Sequence, residues 1–526
     1  MQFANHTPAN SSESGYRRAL VALATATLLS GLFGLDWGLP NGERTWAADS
    51  VAPMTPYSVA YHVFAEHGAN SGYFYFKYPV GHQFLLAAVG APVMAWAALS
   101  GNLGAIETDY PFGLDNPEPV LAALQVAMRG LSVLLSVGLV LAIAGTARRL
   151  CSPSAGVMAG LCALGSYPLL FYQHTSNVEV PYLFWAFLAL YATVRASESE
   201  ARPQWMWLFG LSAAMAVSTK EQIVGFVVLL PLALLCSNWA RVRAAEPGAR
   251  AMPAGWRGGL ALSLAGYAVA NAAFFNPSGA LNRIRYLTHT LDTATRQAYA
   301  GYEMPIDFST PWNLAQELLH MEKTASAILS SIGWPALLVA LGGLAWMAWR
   351  APRGLLFVVA AMLGYYMVSL RLLKQVEIRY TMALSSLLAV PAGILLSEVW
   401  RRWRHGRVLV VALLGFGLLY SGETLVMLAG DARYGAERWM EQRLAEGKQV
   451  EVYQSWTYLP RWQRAEGVRR IGFDDIGVAG LEERQPDLIV LSSKGLAGIT
   501  MYPNPDWRDG RGMMLVNEKN RNFLDA

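Results

Sequence analysis

Residues 80–99 read VGHQFLLAAVGAPVMAWAAL, and the orientation of every helix after them depends on whether this run crosses a membrane or lies along its surface. A crossing helix needs roughly 20 mostly apolar residues for ~30 Å of hydrocarbon, so length alone permits a span. The charges on either side decide the matter. If the run crosses, the acidic loop around Glu107, Asp109, Asp115 and Glu118 faces the cytoplasm and almost all later arginines face outward. If it lies flat, Arg17, Arg18, Arg148, Arg149, Arg195, Arg202, Arg241, Arg243, Arg250, Arg257, Arg350, Arg353, Arg401, Arg402, Arg404 and Arg407 share the cytoplasmic side. Arginine and lysine concentrated in short cytoplasmic loops are what orients membrane helices. The surface reading follows.

The remaining apolar runs predict eleven spans, near 19–35, 120–147, 155–172, 180–194, 205–219, 222–238, 258–275, 327–349, 354–370, 380–397 and 408–428. Composition agrees: 54% of the 526 residues are hydrophobic, 15% are charged and mean hydropathy is +0.28, where soluble domains carry about 25% charged residues. Arg17-Arg18 before the first run allows a signal peptide, but the many following spans favour a retained first helix. A net charge of +4, with basic residues at helix ends, argues against nucleic acid as a partner. The basic stretch Arg401–Arg407 reads as a topology anchor on anionic lipid. Cys151, Cys162 and Cys236 lie in or beside apolar runs, which indicates neither a disulfide framework nor a cysteine metal site.

Three regions then face outward: 36–118, 276–326, and a tail from Asp431 to Ala526. The expected division is a membrane catalytic domain, 1–430, and a small soluble α/β domain, 431–526. In the tail a helix is expected over about 432–444, strands over 449–453 and 487–491, and a turn at Tyr502-Pro503-Asn504-Pro505.

The outward side carries Gly38-Leu39-Pro40, then Asp49-Ser50, then Lys77-Tyr78-Pro79-Val80-Gly81-His82. Later come His174-Thr175-Ser176-Asn177-Val178-Glu179, Thr219-Lys220-Glu221, Arg379-Tyr380, and Asp431, Arg433, Ala436 and Trp439. In order and sidedness these resemble the GT-C superfamily of membrane glycosyltransferases, particularly bacterial relatives of protein O-mannosyltransferases and of the lipid A aminoarabinose transferase. The chain departs from the pattern at Ser50, where the family has Glu, and at Val80, where a second Pro is usual.

The resemblance implies an all-α polytopic membrane bundle with interfacial helices in the first external loop. It implies inverting transfer of a sugar from a polyprenyl-phosphate carrier to an acceptor hydroxyl on a protein, lipid or glycan, at the periplasmic face of a bacterial inner membrane. Such chemistry needs a base for the acceptor proton and cations for the departing phosphate. Asp49 is the expected base, with Asp36 as its rival. Lys77, His82, Lys220 and Arg379 are the expected cations, and Tyr78, His174, Asn177, Glu179 and Tyr380 the other expected substrate-binding residues. Each has a plainer reading: long cationic side chains at helix ends also snorkel to headgroups, and Asn177 and Glu179 also suit a helix start. A divalent cation, Mg²⁺, Mn²⁺ or Zn²⁺, held by Asp49 and Glu179 with His82 or His174, is left open. A transporter or flippase of a lipid-linked sugar is the other reading. It predicts inverted repeats with discontinuous midplane helices, and none stands out in the sequence.

Overall fold

Apolar runs bounded by Pro, Ser, Asn and Gly become helices because backbone polar groups in hydrocarbon must be satisfied within the segment. The computed structural model describes residues 10–40, 45–47, 49–66, 79–104, 107, 109–198, 200–287, 313–373, 376–453, 457, 459–461, 467–471 and 478–491. Lys77, Tyr78 and the expected turn at 502–505 lie outside the described residues.

The chain opens with α1 (Asn10–Leu32), a short α2 (Thr55–Tyr61) and α3 (Gly81–Leu99). Then come α4 (Pro117–Leu150), α5 (Pro153–Leu164), α6 (Tyr167–Tyr172), α7 (Glu179–Ala196) and α8 (Gln204–Thr219). Next are a composite α9 (Glu221–Arg243), α10 (Trp256–Ala270) and α11 (Pro277–Leu287). The bundle closes with α12 (Leu314–Arg350), α13 (Pro352–Leu370), α14 (Ile378–Arg402) and α15 (Gly406–Ala429). Seven of the described helices are long and apolar enough to cross a membrane, and the polytopic helical architecture expected from sequence is what forms.

The run 80–99 satisfies the length test for a span, and its described packing partners lie toward one end of the bundle. Its α4 partners are Val120, Leu121, Leu124, Met128 and Leu131, all in the first half of that helix. The level of Arg129 on α4 is fixed by its guanidinium, which reaches the Leu35 and Trp37 carbonyls just beyond α1. Gly81, at the start of α3, packs on Ser218 and Ala270, the last turns of α8 and α10. Both ends of α3 therefore sit among helix ends.

Helix α14 is the axis, with most side chains from Thr381 to Glu398 buried. Small residues let its neighbours approach closely, as membrane helices require where lipid is as apolar as the helix itself. A Cβ on Gly343 of α12 would lie 2.1 Å from the Pro391 carbonyl, and one on Gly393 would lie 2.3 Å from the Ala159 nitrogen of α5. Outward-facing Val408, Leu419, Val426 and Leu264 stay exposed, as a lipid-facing surface does. The arginine-rich turns gather at the end opposite α3, where Arg353 and Arg241 share Glu246 and Arg149 pairs with Glu198.

Two predicted spans are interrupted. The 155–172 run breaks between α5 and α6 at Gly165-Ser166, where the free Leu164 carbonyl accepts from the Ser421 hydroxyl at 2.8 Å. Helix α12 kinks at Gly333, whose φ of +75° only glycine adopts readily, two residues before Pro335.

After α15 come α16 (Ala432–Ala445), β1 (Val450–Tyr453), β2 (Val468–Ile471), α17 (Val478–Arg484) and β3 (Leu488–Val490). The strands form a parallel sheet in the order β2-β1-β3. Strand β1 is central and buried throughout, so its Glu451 is held by Arg484 at 2.5 Å. Strand β2 was not among the expected elements, because Arg469 and Arg470 make Val-Arg-Arg-Ile look like a polar loop; both arginines are exposed.

Replacing Gly343 with Val should lower the thermal unfolding midpoint in detergent, with a cost of about 1–3 kcal/mol for overpacking. An unchanged midpoint would mean that α12 and α14 are not in backbone contact there.

Candidate functional site

Four turns converge at the end of the bundle opposite the arginine-rich loops: residues 45–47 and 49–50 after α1, 173–178 between α6 and α7, 219–221 between α8 and α9, and 377–380 at the start of α14. Glu179 occupies the first turn of α7 and Lys220 caps the C-terminus of α8. Each charge is of the sign its own helix dipole favours, and the two adjacent ends pair them: Lys220 Nζ donates to Glu179 Oε1 at 2.9 Å. Glu179 is 1% exposed, and its Oε2 is buried with no hydrogen-bond partner among the described residues. Tyr182 and Tyr380 turn their ring faces to the Lys220 ammonium at 5.2 and 5.0 Å.

Arg379 is placed differently, in the first turn of α14, where the helix dipole is already positive. Carboxylates offset that concentration of charge: Asp49 Oδ1 lies 2.5 Å from Nη1 and Glu377 Oε2 lies 2.7 Å from Nε. Arg379 Nη2 donates to the Tyr380 hydroxyl at 3.1 Å. The Tyr365 hydroxyl donates to the Tyr380 carbonyl at 2.7 Å, clasping the turn from α13. Asp49, Arg379, Tyr380, Lys220 and Glu179 thus form one continuous chain of contacts.

The other expected residues take different places. Asp36 is exposed on the side of the tail, within electrostatic reach of Arg129, Tyr434 and Arg461; no described contact joins it to Arg379. His82 is fully buried. Burial pushes its imidazole down to about 4, only partly offset by the Ser176 carbonyl 3.4 Å away. Burial therefore favours its neutral form. His174 faces the Leu170 carbonyl through Nδ1 and the Ser30 and Phe33 carbonyls through Nε2, which ties the 173–178 turn to α1. Asn177 Oδ1 accepts from the Val178 amide at 2.7 Å, so it shapes the turn before α7. Tyr182, Tyr365 and Glu377 were not singled out from sequence, because tyrosines inside apolar runs read as packing and Glu377 belongs to no quoted motif.

Ser50, where the resemblance leads one to expect Glu, bonds with the Ser176 hydroxyl at 2.8 Å, and Gln125 Nε2 donates to both, at 3.2 and 2.9 Å. This departure removes one carboxylate. The carboxylates proposed for a divalent cation, Asp49 and Glu179, are each committed to a side-chain cation, and His174 is committed to carbonyls. Among the described residues no three His, Cys, Asp or Glu side chains are grouped to hold a metal. The described residues do not by themselves form a divalent-ion site.

The tail meets this end of the bundle through aromatic and ionic contacts. Trp37 Nε1 donates to Asp431 Oδ2 at 2.9 Å, and Asp431 receives Arg433 on both oxygens, at 2.9 and 2.6 Å. Burial works against ionisation of Asp431, but the bonds from Arg433 and Trp37 outweigh it and hold the carboxyl below its usual range. A depressed folded value gives stability that is present above the unfolded value near 3.9 and lost as pH falls through the folded one.

Two outcomes are expected. Lys220→Met leaves Glu179 buried and unpaired, at a cost of about 3–5 kcal/mol. Lys220→Met/Glu179→Gln should recover much of that, and equal melting points for the single and double variants would count against the pair. Amide protection across residues 431–445, corrected for the intrinsic pH dependence of exchange, should stay constant between about pH 5 and 8 and fall only in stronger acid; a loss of protection near neutral pH would remove Asp431 as the titrating group.

Residues 120–254, from α4 to just before α10, match the family model described as dolichyl-phosphate-mannose-protein mannosyltransferase. No curated protein matches the chain by sequence. Among solved structures, ArnT from Cupriavidus metallidurans bound to undecaprenyl phosphate superposes with a TM-score of 0.50 at 15% identity, covering 90% of each chain. The Archaeoglobus fulgidus oligosaccharyltransferase, in complex with Zn and sulfate, gives a TM-score of 0.44 at 13% identity. That alignment covers 86% of this chain, which spans 62% of the archaeal enzyme. In fold over most of its length, and in sequence across residues 120–254, the chain resembles the GT-C membrane glycosyltransferases.

Proposed function

We propose that this protein is a GT-C glycosyltransferase of eleven spans that moves a sugar from a polyprenyl-phosphate donor to an acceptor hydroxyl, with Asp49 as general base. The observation that carries the reading is the convergence of Asp49, Arg379, Tyr380, Lys220 and Glu179 from separate turns into one contact chain. By the placement of arginines the site faces the periplasm of a bacterial inner membrane.

The donor is a phosphodiester of single negative charge, and it leaves as a phosphate monoester of greater charge when the bond to the anomeric carbon breaks. A guanidinium at a helix N-terminus suits that change. Three carboxylates, Asp49, Glu377 and Glu179, face two cations at the described site. An arriving phosphate therefore competes with Asp49 for Arg379. The displacement frees an Asp49 oxygen to accept the acceptor proton as the acceptor oxygen attacks the anomeric carbon. One such in-line displacement inverts the configuration. Glu179 Oε2, buried without a partner among the described residues, is placed to accept from a donor hydroxyl, and Lys220 compensates the charge beside it.

The test is Asp49→Asn in purified enzyme given a polyprenyl-phosphate sugar. Transfer should fall by about 10²- to 10⁴-fold while donor binding persists. Undiminished transfer would remove Asp49 as the base. A transporter would move labelled lipid-linked sugar without consuming the donor.

A further inference from the structure

The loop that carries Asp49 is pinned on both sides, and at one of them the tail supplies most of the partners. Trp46, three residues before Asp49, is 3% exposed. The Arg433 and Arg461 guanidinium carbons lie 4.2 and 5.1 Å from its ring centroid, and Tyr434 meets it edge-on at 4.8 Å. Its indole Nε1 donates to the Leu459 carbonyl at 2.9 Å. Cations over an indole gain most where water is excluded. Neither arginine is free to move away: Arg433 also donates to the Thr457 carbonyl at 2.7 Å, and Glu437 holds Arg461 through both oxygens at 2.7 and 2.9 Å. On the other side of Asp49, Ser50 is fixed to Ser176.

On the bundle side the indole meets Trp37 edge-on at 6.4 Å and packs in one cluster with Leu428. Gly38 has φ +50°, and a Cβ there would lie 2.4 Å from Trp46 Cβ, so the Gly-Leu-Pro turn makes room for this residue. We infer that the C-terminal unit is a positioning device for the reacting carboxylate: Arg433 and Arg461 grip Trp46 and so hold Asp49 against Arg379. The inference rests on the reading of Asp49 as base. Misplacing a reacting group by 1 Å can cost about 100-fold in rate, so a grip one short loop away has leverage on turnover without touching substrate.

The experiment uses the full-length protein in detergent, comparing wild type with Arg433→Met/Arg461→Met, with Arg433→Lys/Arg461→Lys and with Trp46→Phe, which keeps a ring face and loses the N–H. Hydrogen exchange is followed in peptides covering 45–50 and, as a fold control, 378–402, and kcat and donor KM are measured on the same samples. In the Met variant, exchange across 45–50 should rise about tenfold or more and kcat should fall about 10- to 100-fold, with KM unchanged. The Lys variant and Trp46→Phe should lie between. If the control peptide also loosens in the Met variant, Trp46→Phe decides by the same two readouts. An unchanged loop, a loosened loop with full kcat, or a raised KM at constant kcat would each overturn the inference. A loosened loop in a protein whose wild type transfers no sugar would support the grip and sink only the glycosyltransferase reading.

Discussion

A charge at the tip of an apolar helix has to be answered by another charge, and at this end of the bundle that demand organises everything else. Glu179 is 1% exposed, and an unpaired carboxylate at such depth is strongly disfavoured. Lys220 answers it because α7 begins where α8 ends, so the packing of two antiparallel neighbours and the pairing of their terminal charges are one arrangement. Arg379 poses the reverse problem, a cation at the positive end of α14, and it draws Asp49 out of the first loop and Glu377 from the turn before. The loop's position is thereby coupled to the central helix of the bundle. Pairing of this kind stabilises the empty site and leaves it responsive, since an incoming anion can exchange places with a carboxylate at little net change in charge.

How much of this was legible beforehand follows from which physical signal each feature leaves in the sequence. Helices were readable because hydrocarbon demands long apolar runs, and the observed helices begin and end within a few residues of most of the runs expected. The expectation that α3 lies along the surface rests on arginine placement, while by length and composition it passes for a span. The Gly165-Ser166 break was not, because Ser421 satisfies the Leu164 carbonyl from a helix more than 250 residues away. Nor was the partner of Asp49. Resemblance nominated Asp49, Lys220, Glu179 and Arg379 one by one, but only folding shows that Arg379 bridges Asp49 to the others through Tyr380. His174 went the other way: a histidine near a polar motif suggests a ligand, while both of its ring nitrogens face backbone carbonyls.

The tail shows a similar division. Its first helix and two of its strands carry apolar patterns that any sheet-forming segment shares. Strand β2 was concealed by its two arginines, which are tolerable because β2 is an edge strand and both side chains reach solvent. Its contact with the bundle was foreshadowed only by Asp431 and Arg433 in the resemblance, and Trp37 and Trp46, the residues they meet, carried no flag of their own.

The substitution of Ser for Glu at position 50 bears on how the site handles phosphate charge. A second carboxylate beside Asp49 would add negative charge where a leaving phosphate accumulates it, and would need a further cation nearby. Ser50 instead closes a neutral hydrogen-bond triangle with Ser176 and Gln125. The cations that remain on the described side of the pocket are Arg379 and Lys220, both fixed to protein elements and both backed by tyrosine faces. Fixed side-chain cations reorganise little when charge develops, which is the property electrostatic stabilisation of a leaving group needs. A neutral residue at 50 and preorganised cations at 220 and 379 are therefore two sides of the same arrangement, in which Asp49, the loop carboxylate at the described site, is the one that Arg379 can release.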